Sequence, residues 1–409
     1  MERWTGMDET TDRPVRVGIA GGGEFGRMCA AQLDRIDDVT LVGVADPDER
    51  RARACIRAGG GEPSAAADPG DVSATDRTIA IVDDGVDLAR ADVDVLLEAT
   101  GELAAGARHA FEAIMHDTHV AMATCEADAV VGPVLSELAR NAGVGYAPAA
   151  GDQPALVSDL VRWARACGFE VVAAGRGVRT VDPNVAIESA VAANATGLAP
   201  AADGLHLPTV GLQELANVLR PTEDGGRLAD PGVIDAVEVP PDQRGSPGAS
   251  IGDGVFVVVS TPDEDVRRFV VEKNRAGAYP DDAGRYVTFA RPHHVPGVET
   301  PRTIRRLTSC TEPYCPTSEH VSDVVAVART NVGPGDDPVR IHRTDPDDRF
   351  RADLRRVEDV RAAGLVPYGL LNRARIIAPL APGEVVTADH VELRPTFVHH
   401  LRGIGDRHT

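Results

Sequence analysis

The chain has 409 residues, more than one ordinary core accommodates, so two or three domains are expected. Its formal charge of −21, from 63 acidic against 42 basic residues, excludes a surface built to track nucleic-acid phosphates. No apolar run approaches the roughly 20 residues of a membrane span, and the polar opening MERWTGMDETTDRP lacks the apolar stretch of a secretory signal, so the expected location is the cytoplasm.

Only one basic residue, Lys273, is a lysine; the others are arginines. Acidic runs such as DPDDRFRADLRRVED spread along the chain instead of collecting in one patch. That distribution fits a halophilic surface, kept hydrated in salty cytoplasm, better than a dock for a cationic partner. The six cysteines form no C-x-x-C pair, and Cys310 and Cys315 lack companion ligands, so reduced thiols and no metal site are expected.

Strand and helix patterns alternate from the start. VRVGIA (15–20), TLVGVAD (40–46), DVDVLLEAT (92–100), HVAMAT (119–124) and GVGYAPA (143–149) read as buried strands. Helices fall between them, including one from Gly26 with Cys29, Leu33 and Ile36 on one face, and another over 128–143. A helix over 154–168 leads to a strand at 169–175. The Gly-, Pro- and Asp-rich 219–254 reads as largely loop, followed by strands VFVVVST (255–261) and RYVTFARP (285–292). The tail, 364–395, has short apolar pieces punctuated by Gly and Pro.

The expected class is therefore α/β. Its first domain, 13–150, is a Rossmann-type doubly wound parallel sheet, and an α+β substrate domain follows over 151–330, with a helix returning to the first. Residues 331–409 form a small β-rich third domain.

GGGEFG fits G-x-G-x-x-G with Gly21, Gly23 and Gly26 in the three positions. The first glycine permits a tight turn, the second lets a pyrophosphate approach, and the third brings helix and strand together. Glu24 and Phe25 sit at the helix start, where free N–H groups face phosphates. The motif follows a strand, opens a helix, and precedes an acid, Asp46, at the end of the next strand. Asp46 favours the ribose hydroxyls of NAD over a 2′-phosphate; Arg50 and Arg51 nearby leave NADP open. Thr100 and Gly101, in EATG, are expected beside the nicotinamide ribose at the carboxyl edge of the sheet, unless they only end a strand. Asp152 borders the same edge or simply caps a helix.

Later segments carry a resemblance. YCPTSEHVSDVVAVARTN contains Pro316, Thr317, Ser322, Asp323, Ala328 and Arg329. Homoserine dehydrogenases have a similar Pro-Thr, then Ser-Asp, then an apolar helix ending in Ala-Arg. With 151–177, 186–198 and 289–304, the chain resembles a branch of homoserine-dehydrogenase-like oxidoreductases that carry a C-terminal SAF domain. That branch includes deoxyxylulose-phosphate reductoisomerase-like enzymes, and the resemblance runs from Val15 through nearly the whole chain. It implies a SAF domain in the tail and a homodimer or homotetramer. The chain departs from the pattern where the relatives have lysines: it has Glu126 in TCEAD, Arg176 between Gly175 and Gly177, and Asn184 before AIE. SCTEPYC replaces the glycine-rich loop expected before Pro316.

Hydride transfer belongs to the cofactor, leaving the protein to orient the substrate and move one proton. Candidates for that work are Glu188, His206, Lys273 and Arg176. Glu188 is an acid on a mostly apolar helix, His206 titrates near neutrality, and Lys273 is the only lysine. Each has a plainer reading: a solvated helix face, a surface histidine, a solvated helix end. Arg176, Arg179 and Arg291 are suited to clamping an anion. The expectation is an NAD(P)-dependent oxidoreductase acting on a small, polar, anionic alcohol or carbonyl. A metal-assisted phosphosugar reductoisomerase, drawing on Glu126, Asp128 and Asp152, and a non-catalytic dinucleotide or sugar-acid binder are the alternatives.

Overall fold

Residues 13–65, 68–71, 77–201, 204–243, 251–273, 277–317, 319–336, 349–372 and 374–408 are described by the computed structural model. They divide into two compact units: residues 1–124, 134–152 and 295–315 in the first, and 125–133, 153–294 and 316–409 in the second.

The first unit opens with β1 (Val15–Ala20), α1 (Glu24–Leu33), β2 (Val39–Ala45), α2 (Glu49–Ala58), β3 (Glu62–Ser64), β4 (Thr78–Val82) and α3 (Gly85–Ala89). It continues through β5 (Val95–Glu98), α4 (Leu103–Met115), β6 (His119–Met122), the later part of α5 (Cys125–Ala142), whose residues 125–133 belong to the second unit, and β7 (Tyr146–Pro148). The sheet order is β3-β4-β2-β1-β5-β6-β7, and every pairing in it is parallel. This is the doubly wound sheet expected from the alternating pattern. Its strands read as unbroken apolar runs because helices cover both faces. β4 escapes the sequence reading, since TIAIV follows a polar stretch and is only five residues long.

Register aligns the strand ends. Ala20 lies opposite both Ala45 and Glu98, and Glu98 lies opposite Met122. The glycine turn, Asp46, Thr100 and Thr124 therefore leave the sheet at one edge.

The second unit contains α6 (Gln153–Ala166), β8 (Glu170–Val178), α7 (Pro183–Thr196), β9 (Ala199–Pro200), α8 (Leu215–Val218) and β10 (Val233–Glu238). Next come β11 (Val255–Ser260), α9 (Glu264–Lys273), β12 (Ala278–Pro280) and β13 (Tyr286–Arg291). Its mixed sheet has the order β12-β13-β11-β8-β10-β9. One face packs Ala174, Ile234 and Val257 against Leu156 of α6 and Ala190 of α7; the other packs Val172, Phe256 and Val258 against Leu215 of α8. The sequence leaves 219–254 as largely loop, yet β10 lies inside the sheet there. VIDAVE is too short and too mixed to show a period, although five of its six residues are buried.

α10 (Pro301–Ser309) belongs to the first unit, whose core receives Ile304 and Leu307. The second unit closes with β14 (Ser322–Ala328), β15 (Phe350–Arg356), α11 (Val357–Ala362), β16 (Arg375–Ile376), β17 (Val391–Glu392) and α12 (Phe397–His408). The resemblance implied a helix after Asp323, and the structure corrects that: 322–328 is strand. All seven residues of β14 are buried and pair antiparallel with β15. Val324, Val325 and Val327 are β-branched and favour the extended form. The 331–409 range expected as SAF-like shares a core with 153–294, through residues such as Tyr368, Ile376 and Val386.

Candidate functional site

The glycine turn is shaped by what each glycine touches. Gly21 has φ +104°, and a Cβ there would overlap the Ala99 carbonyl. A Cβ on Gly26 would run into the Gly21 carbonyl oxygen, with Ile19 Cγ2 behind it. Gly23 differs: nothing lies within 4 Å of the position its Cβ would take. Two glycines are thus demanded by packing, and the middle one opens onto free space. Gly23 is the N-cap of α1, and no side chain caps this helix. The leading amides, around exposed Glu24 and half-buried Phe25, have no intrahelical acceptors and form a ready anion site.

Asp46 is buried and braces this turn. Its Oδ2 accepts the Gly22 N–H at 2.9 Å and its Oδ1 accepts the Asp48 N–H at 2.8 Å. The carboxylate still has lone pairs beyond these two bonds. Arg50 and Arg51, the residues that kept NADP open, are exposed and lie closest to Asp48, at 3.4 and 3.9 Å.

Across the strand end, Thr100 gives its hydroxyl proton to Glu98 Oε1 at 2.6 Å, and the Gly101 N–H donates to Thr124 Oγ1 at 3.0 Å. Asp152 follows β7 on the same unit, after Gly151, whose φ is +99° and whose Cβ would meet the Val295 carbonyl oxygen at 2.5 Å. Glu98 and Thr124 were missed in the sequence. An acid inside DVDVLLEAT was the available signal, because a strand buried on both faces has no plain reason to end in Glu.

In the second unit Arg176 and Glu188 form an ion pair between β8 and α7, both side chains largely withdrawn from solvent. The flanking glycines are dictated by crowding: a Cβ on Gly175 would overlap the Asp235 carbonyl, and one on Gly177 would overlap Ile251. Arg179 lies 3.3 Å from Asp253 at a more exposed position. Arg291 closes β13.

His206 is anchored elsewhere. Its Nδ1 lies 2.8 Å from Asp235 Oδ2, while Asp235 Oδ1 accepts the His206 N–H at 3.0 Å. Asp235 is 1% exposed. Ala236 pairs with Arg176, so its neighbour Asp235 points to the other face of the sheet. Leu205 and Leu207, on either side of His206, pack against Val178, Val185 and Ala236. Asp235 was missed because it sat in the presumed loop. The backbone of Lys273 ends α9; its side chain, like Asp203 beside the His206 loop, lies outside the described residues.

Glu126 and Asp128 are both buried in the first turn of α5. Among the described residues, no three His, Cys, Asp or Glu side chains assemble as a metal site. All six cysteines are free thiols, and burial raises the thiol of Cys55 to about 12. Among the described residues no helix is long and apolar enough to cross a membrane.

Among curated proteins, no sequence matches the chain. Solved structures are similar to parts of the chain at low identity. A probable dehydrogenase from Thermotoga maritima is 15% identical over 73% of this chain and 90% of its own, with a TM-score of 0.40. GenD2 from gentamicin A biosynthesis, in complex with NAD, is 14% identical over 77% and 92%, also at 0.40. The WlbA dehydrogenase from Bordetella pertussis, in complex with NADH and UDP-GlcNAcA, is 18% identical at a TM-score of 0.31. That match covers 42% of this chain and spans about half, 49%, of WlbA. A family model described as "Oxidoreductase DRL, catalytic domain" matches residues 151–184 and 180–300. The stretch of the chain that carries Arg176, Glu188, His206 and Asp235 is thus similar to an oxidoreductase catalytic domain.

Proposed function

We propose that this protein is an NAD(P)-dependent oxidoreductase with a preference for NAD, acting on a small anionic alcohol or carbonyl compound. The observation that carries the reading is the open Gly23, set between two packed glycines at the uncapped start of α1. Asp46 beside it supports NAD, since a 2′-phosphate would meet its charge. The match of 151–300 to an oxidoreductase catalytic domain supports the second half of the reading.

The nicotinamide supplies or accepts the hydride. In the second unit Arg176 is suited to bind the substrate's carboxylate or phosphate, because its planar fork matches such groups. Glu188, paired with Arg176, takes or returns the proton of the alcohol oxygen. His206 is the other proton carrier available, with Asp235 fixing which ring nitrogen bears hydrogen. A homodimer or homotetramer is the assembly implied by the resemblance to homoserine-dehydrogenase-like oxidoreductases.

Thermal unfolding in molar KCl, with and without NADH and NADPH, tests the cofactor half. A nucleotide at 100 times its dissociation constant adds about 2.7 kcal/mol and raises the midpoint visibly. Should neither nucleotide shift it, the oxidoreductase reading falls and a binding protein without turnover takes its place.

A phosphosugar reductoisomerase is the second reading. It is favoured by the segments at 151–177 and 186–198, which carry the resemblance to that branch and fall inside the matched range. Turnover of a phosphosugar that stops on removing divalent cations would select it.

A further inference from the structure

Glu98, the last residue of β5, is wholly withdrawn from solvent. A carboxylate in such a place costs stability unless it is paired. Its Oε1 accepts from the Thr100 hydroxyl at 2.6 Å and from the Thr100 N–H at 3.4 Å, and faces His109 Nδ1 at 3.4 Å. Its Oε2 has no hydrogen-bond partner. The other ring nitrogen of His109 lies 3.2 Å from Asp84 Oδ1. Gly85 makes room for that ring, since a Cβ there would come within 2.6 Å of it. The Val86 N–H, and then the His109 ring, hold the Asp84 carboxyl below its usual range against the opposing effect of burial.

Packing alone gives no reason for this chain of polar groups. Apolar residues at 98 and 109 would fill the space without the desolvation cost. What the chain does deliver is a fixed Thr100. The Thr100 oxygen also accepts the Glu102 N–H at 3.3 Å, and Gly101, with φ +70°, is tied to Thr124. On the remaining side Gly21 leaves no space against the Ala99–Thr100 peptide. Residues 99–101 are thus clamped from three directions, at the edge where the glycine turn opens.

We infer that Glu98, oriented by His109, is a positioning residue for the nicotinamide end of the dinucleotide. It holds Thr100 and the 99–101 backbone in the shape that receives the nicotinamide ribose. The inference rests on the dinucleotide reading above.

Calorimetric titration of the full-length protein with NADH and with ADP, which lacks the nicotinamide ribose, tests it. Thr100→Val keeps the volume and removes the hydroxyl. It is expected to weaken NADH binding about tenfold, the worth of roughly one hydrogen bond, and to leave ADP binding unchanged. Glu98→Gln is expected to show the same split, with the double variant no weaker than either single one. Equal losses for NADH and ADP, or unaltered NADH binding in both variants, would overturn the inference while leaving the dinucleotide reading intact. A wild-type protein that binds neither nucleotide overturns both.

Discussion

Arg402 grips Asp323 with both ends of its guanidinium, at 2.7 and 2.6 Å, and donates at 3.0 Å to the carbonyl of Val130. Burial by itself would raise the Asp323 carboxyl; the charge and hydrogen bonds of Arg402, with a further bond from His320, bring it below the usual range. The last helix is thereby locked to β14 and to α5. Arg402→Met takes the guanidinium from a buried carboxylate and leaves it the weaker His320 contact, and is expected to cost about 3–5 kcal/mol in urea unfolding. Arg402→Met combined with Asp323→Leu should recover most of that loss. Equal instability in the single and double variants would contradict this account.

His119 adds a second group whose contribution is lost as pH falls. Its Nδ1 accepts the Gly145 N–H at 2.7 Å, and burial lowers its pKa. The unfolded chain therefore takes up the proton first as pH falls. The stabilising contribution is complete above about pH 6.5 and fades below it. Melting temperatures should drop between about pH 7 and 5, and less steeply in His119→Asn, whose amide oxygen can accept the same N–H without titrating. Parallel pH curves for the two proteins would assign the acid sensitivity to other groups.

The three glycines of the turn should separate in their effects. Gly21→Ala and Gly26→Ala collide with backbone and are expected to lower stability by about 1–3 kcal/mol. Gly23→Ala enters open space, so its melting temperature should match wild type while NADH affinity falls about tenfold or more, from the lost approach of the pyrophosphate. Intact NADH binding in Gly23→Ala would move the phosphates off this turn.

Arg176 offers a sharper probe of the second unit. Arg176→Lys keeps a cation beside Glu188 but loses the planar fork. The expected outcome is a folded protein with a raised KM and a kcat nearly unchanged, measured on whichever anionic substrate supports turnover. Glu188→Gln should do the reverse, cutting kcat about a hundredfold or more at similar KM. A KM effect alone in Glu188→Gln would leave the proton to His206.

Much of the first unit was legible because its signals are local. An apolar strand, three glycines and an acid at the next strand's end lie within residues 15–46 and specify turn, helix and sheet together. The second unit hides its logic in distance. Asp235 meets His206 across 29 positions, and Asn194 of α7 accepts the Val321 N–H from 127 positions away. No window of sequence shows such pairings. β14 was misread for a related reason: SDVVAVA suits either a buried helix or a buried strand, and only β15 decides between them. Glu98 stood in plain view, yet its value comes from His109 and Asp84, neither of which carries a motif.

The chain passes between its units at 124/125, 133/134, 152/153, 294/295 and 315/316. Neither half is a contiguous stretch of gene. A fragment ending near residue 150 would lack Ile304 and Leu307, which help fill the first core. Recombination that exchanges one half for a homologous one must therefore carry three pieces of sequence at once. A single contiguous module swapped into this scaffold would bring only part of a unit with it.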